Sequence, residues 1–256
     1  MTVPSETGAL VAVVGMGVAV PGACSPGELW RTVNGGHDVF SEPGDRFDLS
    51  RFWSQDRQEP DRAYARRAGY LHDFRPHPAL LEAERHTGPG RDEAVRWLRH
   101  TVLQARSGVR IAPGYRCGAY VGTWPGGSQS LVESVLVELL ARSAPGDEQV
   151  ARVRAALLEH YRHAVTLDRA AGPDAVVRSA FTGLTERVVE AWVVDTACAS
   201  SLYAVDLGST ALLAGECEVA YCGGVNVVDP TMAVMFCPIA SRAGTPNNRS
   251  AAELKD

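Results

Sequence analysis

The feature that most constrains this chain is a short segment around Cys198, where an apolar run meets a helical pattern. Residues 192–194 are apolar and favour extended backbone, so we expect a buried strand that ends near Asp195. After the cysteine, side chains recur at three- and four-residue spacing, at Leu202, Val205, Ser209, Leu212 and Leu213. This spacing predicts a helix, and Gly215 follows it as a C-cap.

The predicted junction indicates a chemical role for Cys198. The unpaired N–H groups and the positive end of the helix dipole would point toward its sulfur and stabilise a thiolate. Ala197 and Ala199 are small and leave room for a bulky electrophile. The alternative is a small buried core cysteine, because free cysteines are among the most buried residue types. The strand–cysteine–helix context favours the nucleophile.

The rest of the chain predicts strands that alternate with helices. Residues 11–14 form a β-rich apolar run next to glycine, which predicts a buried strand. Helical periodicity is present at 91–104, 129–142 and 148–164. The stretch 43–89 lacks a long period and predicts surface loops with short elements. The alternation favours an α/β layered fold.

A family resemblance rests on these segments. The octamer at 195–202, Asp-Thr-Ala-Cys-Ala-Ser-Ser-Leu, resembles the active-site cysteine motif of β-ketoacyl synthases, especially the ketosynthase domains of polyketide synthases. Further stretches resemble those domains in order and approximate spacing along nearly the whole chain. They are the opening strand and Pro-Gly turn at 11–22, the helix and turn at 28–38, the short stretches at 45–48 and 68–71, and the strands at 116–122 and 222–226.

The resemblance implies a thiolase-like fold, a layered α-β-α-β-α arrangement made of two similar halves. Residues 1–256 would form the N-terminal half of one such β-ketoacyl synthase domain, without an internal boundary and with the C-terminal half absent. One departure concerns 181–191, where the family usually carries a glycine-arginine stretch and a glycine-proline turn. The acyl chain-length preference therefore stays open.

The resemblance also implies a mechanism. Cys198 would be the catalytic nucleophile, acylated from a thioester on the phosphopantetheine arm of an acyl carrier protein, and its backbone N–H would be one oxyanion-hole donor. Two downstream histidines complete the family site, whereas all seven histidines of this chain precede Cys198. We expect either a split enzyme, completed as a heteromer by a complementary C-terminal half, or a truncated chain.

Two other function classes stay open at this point. A non-condensing acyltransferase would use Cys198 but would need less of the decarboxylation machinery. A catalytically inactive scaffold would only dock a carrier protein or a partner subunit.

Composition argues against several other classes. The net charge of −5 provides no electrostatic reason to bind nucleic acid or an anionic membrane. The six cysteines contain no C-x-x-C pair, so neither a metal site nor a redox dithiol is predicted, and no cofactor is expected to be bound by the chain. The Gly15-Met16-Gly17 sequence lacks the third glycine of a dinucleotide loop. No secretory signal or membrane span is evident, which predicts a cytoplasmic protein.

Overall fold

The computed structural model describes residues 10–57, 59–60, 62–87, 93–123, 175–181, 187–228, 230 and 232–236. The helices in this part of the chain are α1 (Pro26–Gly35), α2 (Pro78–Thr87), α3 (Glu93–Arg106), α4 (Ala175–Ala180) and α5 (Ser200–Leu213). Its strands are β1 (Arg116–Gly122), β2 (Arg187–Val194) and β3 (Val219–Gly224). The predicted helices at 129–142 and 148–164 lie outside the described residues.

The three strands form one parallel sheet with β1 in the centre, in the order β2-β1-β3. Tyr120 of β1 stands opposite Trp192 of β2 and Cys222 of β3. The register shifts after Cys117, so Val189 of β2 is not paired with a residue of β1. Parallel strands need crossover connections, which helices usually supply. The predicted α/β fold class is confirmed.

One face of the sheet packs against α3 and α4. The buried core on this face consists of Leu98, Val102, Ala119, Val121, Val177, Ala180 and Phe181. The Phe181 ring stands edge-on to Tyr221 of β3, with 5.0 Å between the ring centroids. The predicted helix at 91–104 is confirmed from Glu93 onward and extends to Arg106.

The other face packs against α5, which lies mainly over β1 and β3. The buried residues here are Tyr120, Val194, Ala204, Ala211 and Cys217. Gly208 lets the helix approach the sheet closely, because a Cβ atom at this position would lie 2.2 Å from the sulfur of Cys222. Small residues on the inner side of α5 therefore allow direct contact between helix and strands.

The end of α5 confirms the predicted stop signal. Gly215 follows the helix with a φ of +73°, in the left-handed region that glycine adopts without steric cost. Its N–H donates to the carbonyl of Leu212 at 3.1 Å, and the N–H of Glu216 donates to the carbonyl of Ala211 at 3.0 Å. These two bonds are the Schellman pattern of helix termination.

A second compact unit contains the described residues of 17–76 and those from 228 onward. Its helix α1 begins after Ser25, whose hydroxyl accepts a hydrogen bond from the N–H of Glu28 at 3.3 Å. The Glu28 carboxylate in turn accepts from the N–H of Cys24 at 2.8 Å. The Ser25 hydroxyl thus caps a free N–H of the first turn, and Glu28 holds the residue before the cap, which explains why the helix starts here. The helix that the resemblance implied is confirmed.

The predicted buried strand at 11–14 is wrong. The structure assigns no strand to these residues, and Val13 is 82% exposed. A strand needs a neighbouring edge for its N–H and C=O groups. In the described sheet, β2 and β3 pair only with β1, so the apolar run has no strand beside it.

The prediction for 43–89 is correct in part. Short 3-10 turns occur at Gly44–Arg46 and Leu49–Arg51 within irregular chain. The ten-residue helix α2 was not predicted. It starts with Pro78 at its first position, and the Nδ1 atom of His77 accepts a hydrogen bond from the N–H of Ala79 at 3.2 Å. Proline is favoured at this position because its missing N–H is not needed there.

Within the described part of the chain, no helix has the length and apolar character needed to cross a membrane.

Candidate functional site

The candidate site lies at the carboxyl-terminal edge of the sheet. Strand β2 ends at Val194, a 3-10 turn spans Ala197–Ala199, and α5 starts at Ser200. Cys198 lies in this turn and is exposed. The structure therefore places the cysteine between a strand and a helix N-terminus, as the spacing predicted. One part of that prediction is wrong, because Trp192 is 52% exposed rather than buried.

Two glycines bring the start of α5 down onto the sheet. A Cβ atom on Gly122, the last residue of β1, would lie 2.7 Å from the Cβ of Ser200. A Cβ atom on Gly224, the last residue of β3, would lie 3.3 Å from the Cβ of Ser201. Only glycine permits this close backbone approach without displacement. Sequence reasoning did not assign these glycines a role, although both lie in segments that were predicted to be strands.

The turn that carries the cysteine has an unusual backbone. Ala197 has a φ of +52°, in the left-handed region that non-glycine residues rarely adopt. This conformation costs a residue with a Cβ atom about 1–2 kcal/mol. The N–H of Ala197 donates to the Oδ1 atom of Asp195 at 3.2 Å, which closes a local turn.

Ser200 connects the turn to the helix. Its Oγ atom accepts a hydrogen bond from the N–H of Thr196 at 2.9 Å and donates one to the carbonyl of Ala197 at 2.7 Å. Ser200 is 9% exposed, so both bonds are largely shielded from water. Sequence reasoning missed this residue, and its only signal was a serine two positions after the cysteine.

The start of α5 is electrostatically suited to a negative charge. No acidic residue lies in its first turn, and its N-cap residue, Ala199, has no side chain that could accept from the free N–H groups. The positive end of the helix dipole is therefore not neutralised by the helix itself. An anion that forms beside this turn would be stabilised by it.

The other described cysteines are less accessible than Cys198. Cys24, Cys117 and Cys217 are buried, and Cys222 is half-buried under α5. Burial raises the pKa of the Cys217 thiol and raises the pKa of the Cys222 thiol to about 11. These two thiols are therefore protonated, and weak nucleophiles, near neutral pH.

A polar cluster lies on the α5 side of the sheet, and one of its members, Glu190, belongs to the segment 181–191 that departs from the family pattern. The Tyr120 hydroxyl donates to the Oε2 atom of Glu190 at 2.7 Å, and the indole N–H of Trp192 donates to Oε1 of the same carboxylate. Burial and the neighbouring carboxylate raise the pKa of Tyr120 well above its ordinary value. This cluster was not predicted.

Several described histidines have structural contacts. The Nδ1 atom of His100, a buried residue, accepts a hydrogen bond from the N–H of His77 at 2.9 Å. His72 contacts the hydroxyl of Ser41 at 2.9 Å. Among the residues that the structure describes, no three acidic, histidine or cysteine side chains are arranged to hold a metal ion.

These features define a class: an α/β protein with an exposed cysteine in a turn between a parallel strand and a helix N-terminus. The family model described as "Beta-ketoacyl synthase, N-terminal domain" matches residues 9–255. The chain belongs to this family.

Curated relatives are large polyketide synthases. The chain is 32% identical over 231 residues to the spectinabilin polyketide synthase system protein NorA of Streptomyces orinoci, covering 85% of this chain and 10% of that protein. It is 33% identical over 231 residues to the pikromycin polyketide synthase component PikAII of Streptomyces venezuelae, covering 88% of this chain and 6% of that protein. The chain thus spans a tenth or less of the length of these relatives.

Solved structures show the same fold. The oxazolomycin ketosynthase domain OzmH KS7 of Streptomyces albus JA3453 matches with a TM-score of 0.61 at 24% identity, over 88% of this chain and 36% of that one. The ketosynthase from module 6 of the bacillaene synthase of Bacillus subtilis 168 matches with a TM-score of 0.59 at 19% identity, over 90% and 34%.

A third match is a type II polyketide synthase acyl-carrier protein in complex with its ketosynthase, AntDE:AntF, with a TM-score of 0.55 at 12% identity, over 93% of this chain and 50% of that one. At these identities the likeness shows the fold alone. Together with the family match, these structures confirm the expected thiolase-like fold and show that this chain corresponds to part of a ketosynthase domain.

Proposed function

We propose that this chain is the nucleophile-bearing half of a β-ketoacyl synthase that acts in polyketide or fatty acid biosynthesis. Cys198 would take an acyl group from an acyl carrier protein for a decarboxylative Claisen condensation. The observation that carries this proposal is the position of Cys198. It is exposed in the turn between β2 and α5, in a chain that belongs to the β-ketoacyl synthase family.

The geometry of the turn supports the first half-reaction that we propose. The Cys198 thiolate attacks the thioester carbonyl, and the resulting oxyanion accepts a hydrogen bond from the backbone N–H of Cys198. The tetrahedral intermediate collapses with loss of the phosphopantetheine thiolate, which leaves the acyl group on Cys198. The N-terminal end of α5, without an acidic residue in its first turn, favours the negative charge that develops here.

The second half-reaction needs groups that we assign to a C-terminal half. A malonyl-type extender loses CO₂, and its carbanion attacks the acyl carbonyl on Cys198. A new carbon–carbon bond forms, and the Cys198 thiolate leaves. The histidines that polarise the extender would come from the C-terminal half, on the same polypeptide or on another one.

Exposed apolar residues support a partner of this kind. Leu202 is 72% exposed although it belongs to the helix that follows the nucleophile. The other exposed apolar side chains of α5 are Tyr203, Val205, Leu207 and Leu213. An apolar helix face of this size is typical of a surface that another protein segment covers. We propose that the complementary C-terminal half covers it.

The proposed carrier is an acyl carrier protein with a phosphopantetheine arm. Supporting this, a structurally similar ketosynthase was solved in complex with its acyl-carrier protein. No cofactor bound by the chain itself is part of the proposal.

Intact-mass spectrometry after incubation with a short acyl thioester tests the proposal. We expect one acyl adduct on Cys198, a faster reaction when the C-terminal half is present, and no adduct in Cys198→Ala. Condensation with a malonyl thioester is expected only with the C-terminal half.

Other results would select the alternatives. An adduct that is transferred to an acceptor without loss of CO₂ would indicate a non-condensing acyltransferase. No adduct in a folded protein, with or without the C-terminal half, would overturn the enzymatic role and leave a scaffold.

A further inference from the structure

The turn before the nucleophile is held in a conformation that its sequence does not favour. Among the described residues, Ala197 is the non-glycine residue with a positive φ. It directly precedes Cys198, so the dihedral angles of Ala197 determine where the backbone and side chain of Cys198 point. A group that stabilises this conformation would therefore control the direction of the thiol.

The hydroxyl of Ser200 is placed to do this. It accepts from the N–H of Thr196 and donates to the carbonyl of Ala197, with distances of 2.9 and 2.7 Å. The two partners lie at the two ends of the dipeptide 196–197. A single oxygen atom therefore holds both ends of this dipeptide against the first residue of α5.

The surroundings of Ser200 make this contact rigid. The backbone of Gly122 lies directly against Ser200, since a Cβ on Gly122 would approach the Ser200 carbonyl carbon to 2.8 Å. Ser200 is largely buried, so water competes weakly for its hydroxyl. A serine within a helix often donates to the carbonyl three or four residues earlier, but here the same oxygen also accepts from Thr196, which precedes the helix.

We propose that Ser200 is a positioning residue for the reaction at Cys198. Its hydroxyl holds Ala197 in the left-handed conformation and thereby keeps the Cys198 thiol at the N-terminus of α5. The proposal rests on the proposed function, in which Cys198 is the nucleophile.

The experiment measures alkylation of Cys198 by iodoacetamide as a function of pH, in the natural full-length protein, with melting temperature measured in parallel. The variants are Ser200→Ala, Ala197→Gly, their combination, and the control Ser209→Ala. Ser209 is a matched control because its hydroxyl also donates to a backbone carbonyl of the same helix, that of Val205 at 2.7 Å.

We expect Ser200→Ala to slow alkylation about tenfold near neutral pH, since two hydrogen bonds that hold the turn are lost. Ser209→Ala should alkylate like the wild type. Ala197→Gly should restore most of the rate in the Ser200→Ala background, because glycine adopts the left-handed conformation without steric cost.

Several results of the alkylation experiment would overturn the proposal. One is a Ser200→Ala variant with a lower melting temperature but an unchanged alkylation rate, which would make the role only structural. Another is a slow Ser200→Ala variant that Ala197→Gly does not rescue. If Ser200→Ala alone does not fold, a folded but slowly reacting double variant would contradict the proposal equally well.

This test is independent of the proposed enzymatic function, because alkylation needs no acyl thioester. If Ser200 controls the alkylation of Cys198 but no acyl adduct forms, the proposed function fails and the positioning of the thiol stands. If acyl adducts form equally well in wild type and Ser200→Ala, the positioning role fails and the proposed function stands.

Discussion

The two faces of the parallel sheet differ in how completely the described part of the chain covers them. On one face, α3 and α4 bury Val121, Val177 and Phe181 in a continuous apolar core. On the other face, the inner side of α5 is packed against β1 and β3, but its outer side exposes large apolar residues. The first face is a fully buried apolar core. The second face carries exposed apolar side chains, as is typical of a surface that another segment covers.

The difference matters because Cys198 lies on the less covered side, where α5 begins. The covered face supports the sheet from one side, and close packing at Gly122 and Gly224 places the start of α5 on the opposite side. The outer side of α5 is exposed, so Cys198 is accessible and a further layer of structure can pack against the helix. We expect stability to depend mainly on the first face and reactivity mainly on the second, and four variants test this division.

The largest loss of stability is expected for Phe181→Ala on the covered face. The change removes a buried ring that stands against Tyr221 and leaves a cavity, which costs about 3–5 kcal/mol. Urea denaturation measures the free energy of unfolding. If Phe181→Ala cost no more than a substitution on the outer side of α5, the division between the two faces would be wrong.

Gly122→Ala should disturb the junction between sheet and helix. The added Cβ would lie 2.7 Å from the Cβ of Ser200, so β1 and α5 must separate, at a cost of about 1–3 kcal/mol. We also expect slower alkylation of Cys198. Gly223→Ala is the matched control, because apart from its chain neighbours no residue has an atom within 4 Å of the added Cβ. Equal effects of the two substitutions would contradict close packing at Gly122.

Tyr120→Phe should cost about 1 kcal/mol, since it removes the hydrogen bond to the Glu190 carboxylate. It should also change the response to alkaline pH. Burial raises the pKa of Tyr120 in the folded state. The stability that Tyr120 contributes to the fold is therefore complete below about pH 10 and is lost as the pH rises further.

The Phe variant should therefore lose less stability than the wild type above about pH 10. In both proteins the free energy of unfolding should also fall from a lower pH, because the pKa of Cys222 is raised to about 11 in the folded state. Denaturant curves between neutral and alkaline pH measure this, and identical alkaline profiles for the two proteins would contradict the assignment to Tyr120.

The smallest effect on folding is expected for Leu202→Ser on the outer side of α5. Leu202 is 72% exposed, so the free energy of unfolding should change by no more than about 0.5 kcal/mol. Binding to the C-terminal half should weaken instead, which can be measured by titration of the two halves. A large loss of stability in the chain itself would show that this residue is already covered.

Sequence patterns predicted the local elements around the site well. The end of β2, the helix after Cys198, and the stop at Gly215 are all present in the structure. These features depend on apolar periodicity and on glycine conformation, which are local properties that neighbouring residues determine. The catalytic role of Cys198 stays a prediction.

Sequence patterns were less informative where contacts are distant. The run at 11–14 has the composition of a buried strand, but it is exposed and has no strand beside it. Tyr120 and Glu190 are seventy positions apart and meet only because β1 and β2 are neighbours. No periodicity in either segment indicated this pairing.

By itself, then, the sequence determined the order of strand, cysteine and helix, because each of these elements arises from short-range spacing. Tertiary structure decided how the turn is held. Gly122 and Ser200 belong to different elements, and their contact exists only once α5 packs on the sheet. The reason is physical: a strained backbone such as that of Ala197 persists only where surrounding contacts stabilise it, and those contacts form between elements rather than within them.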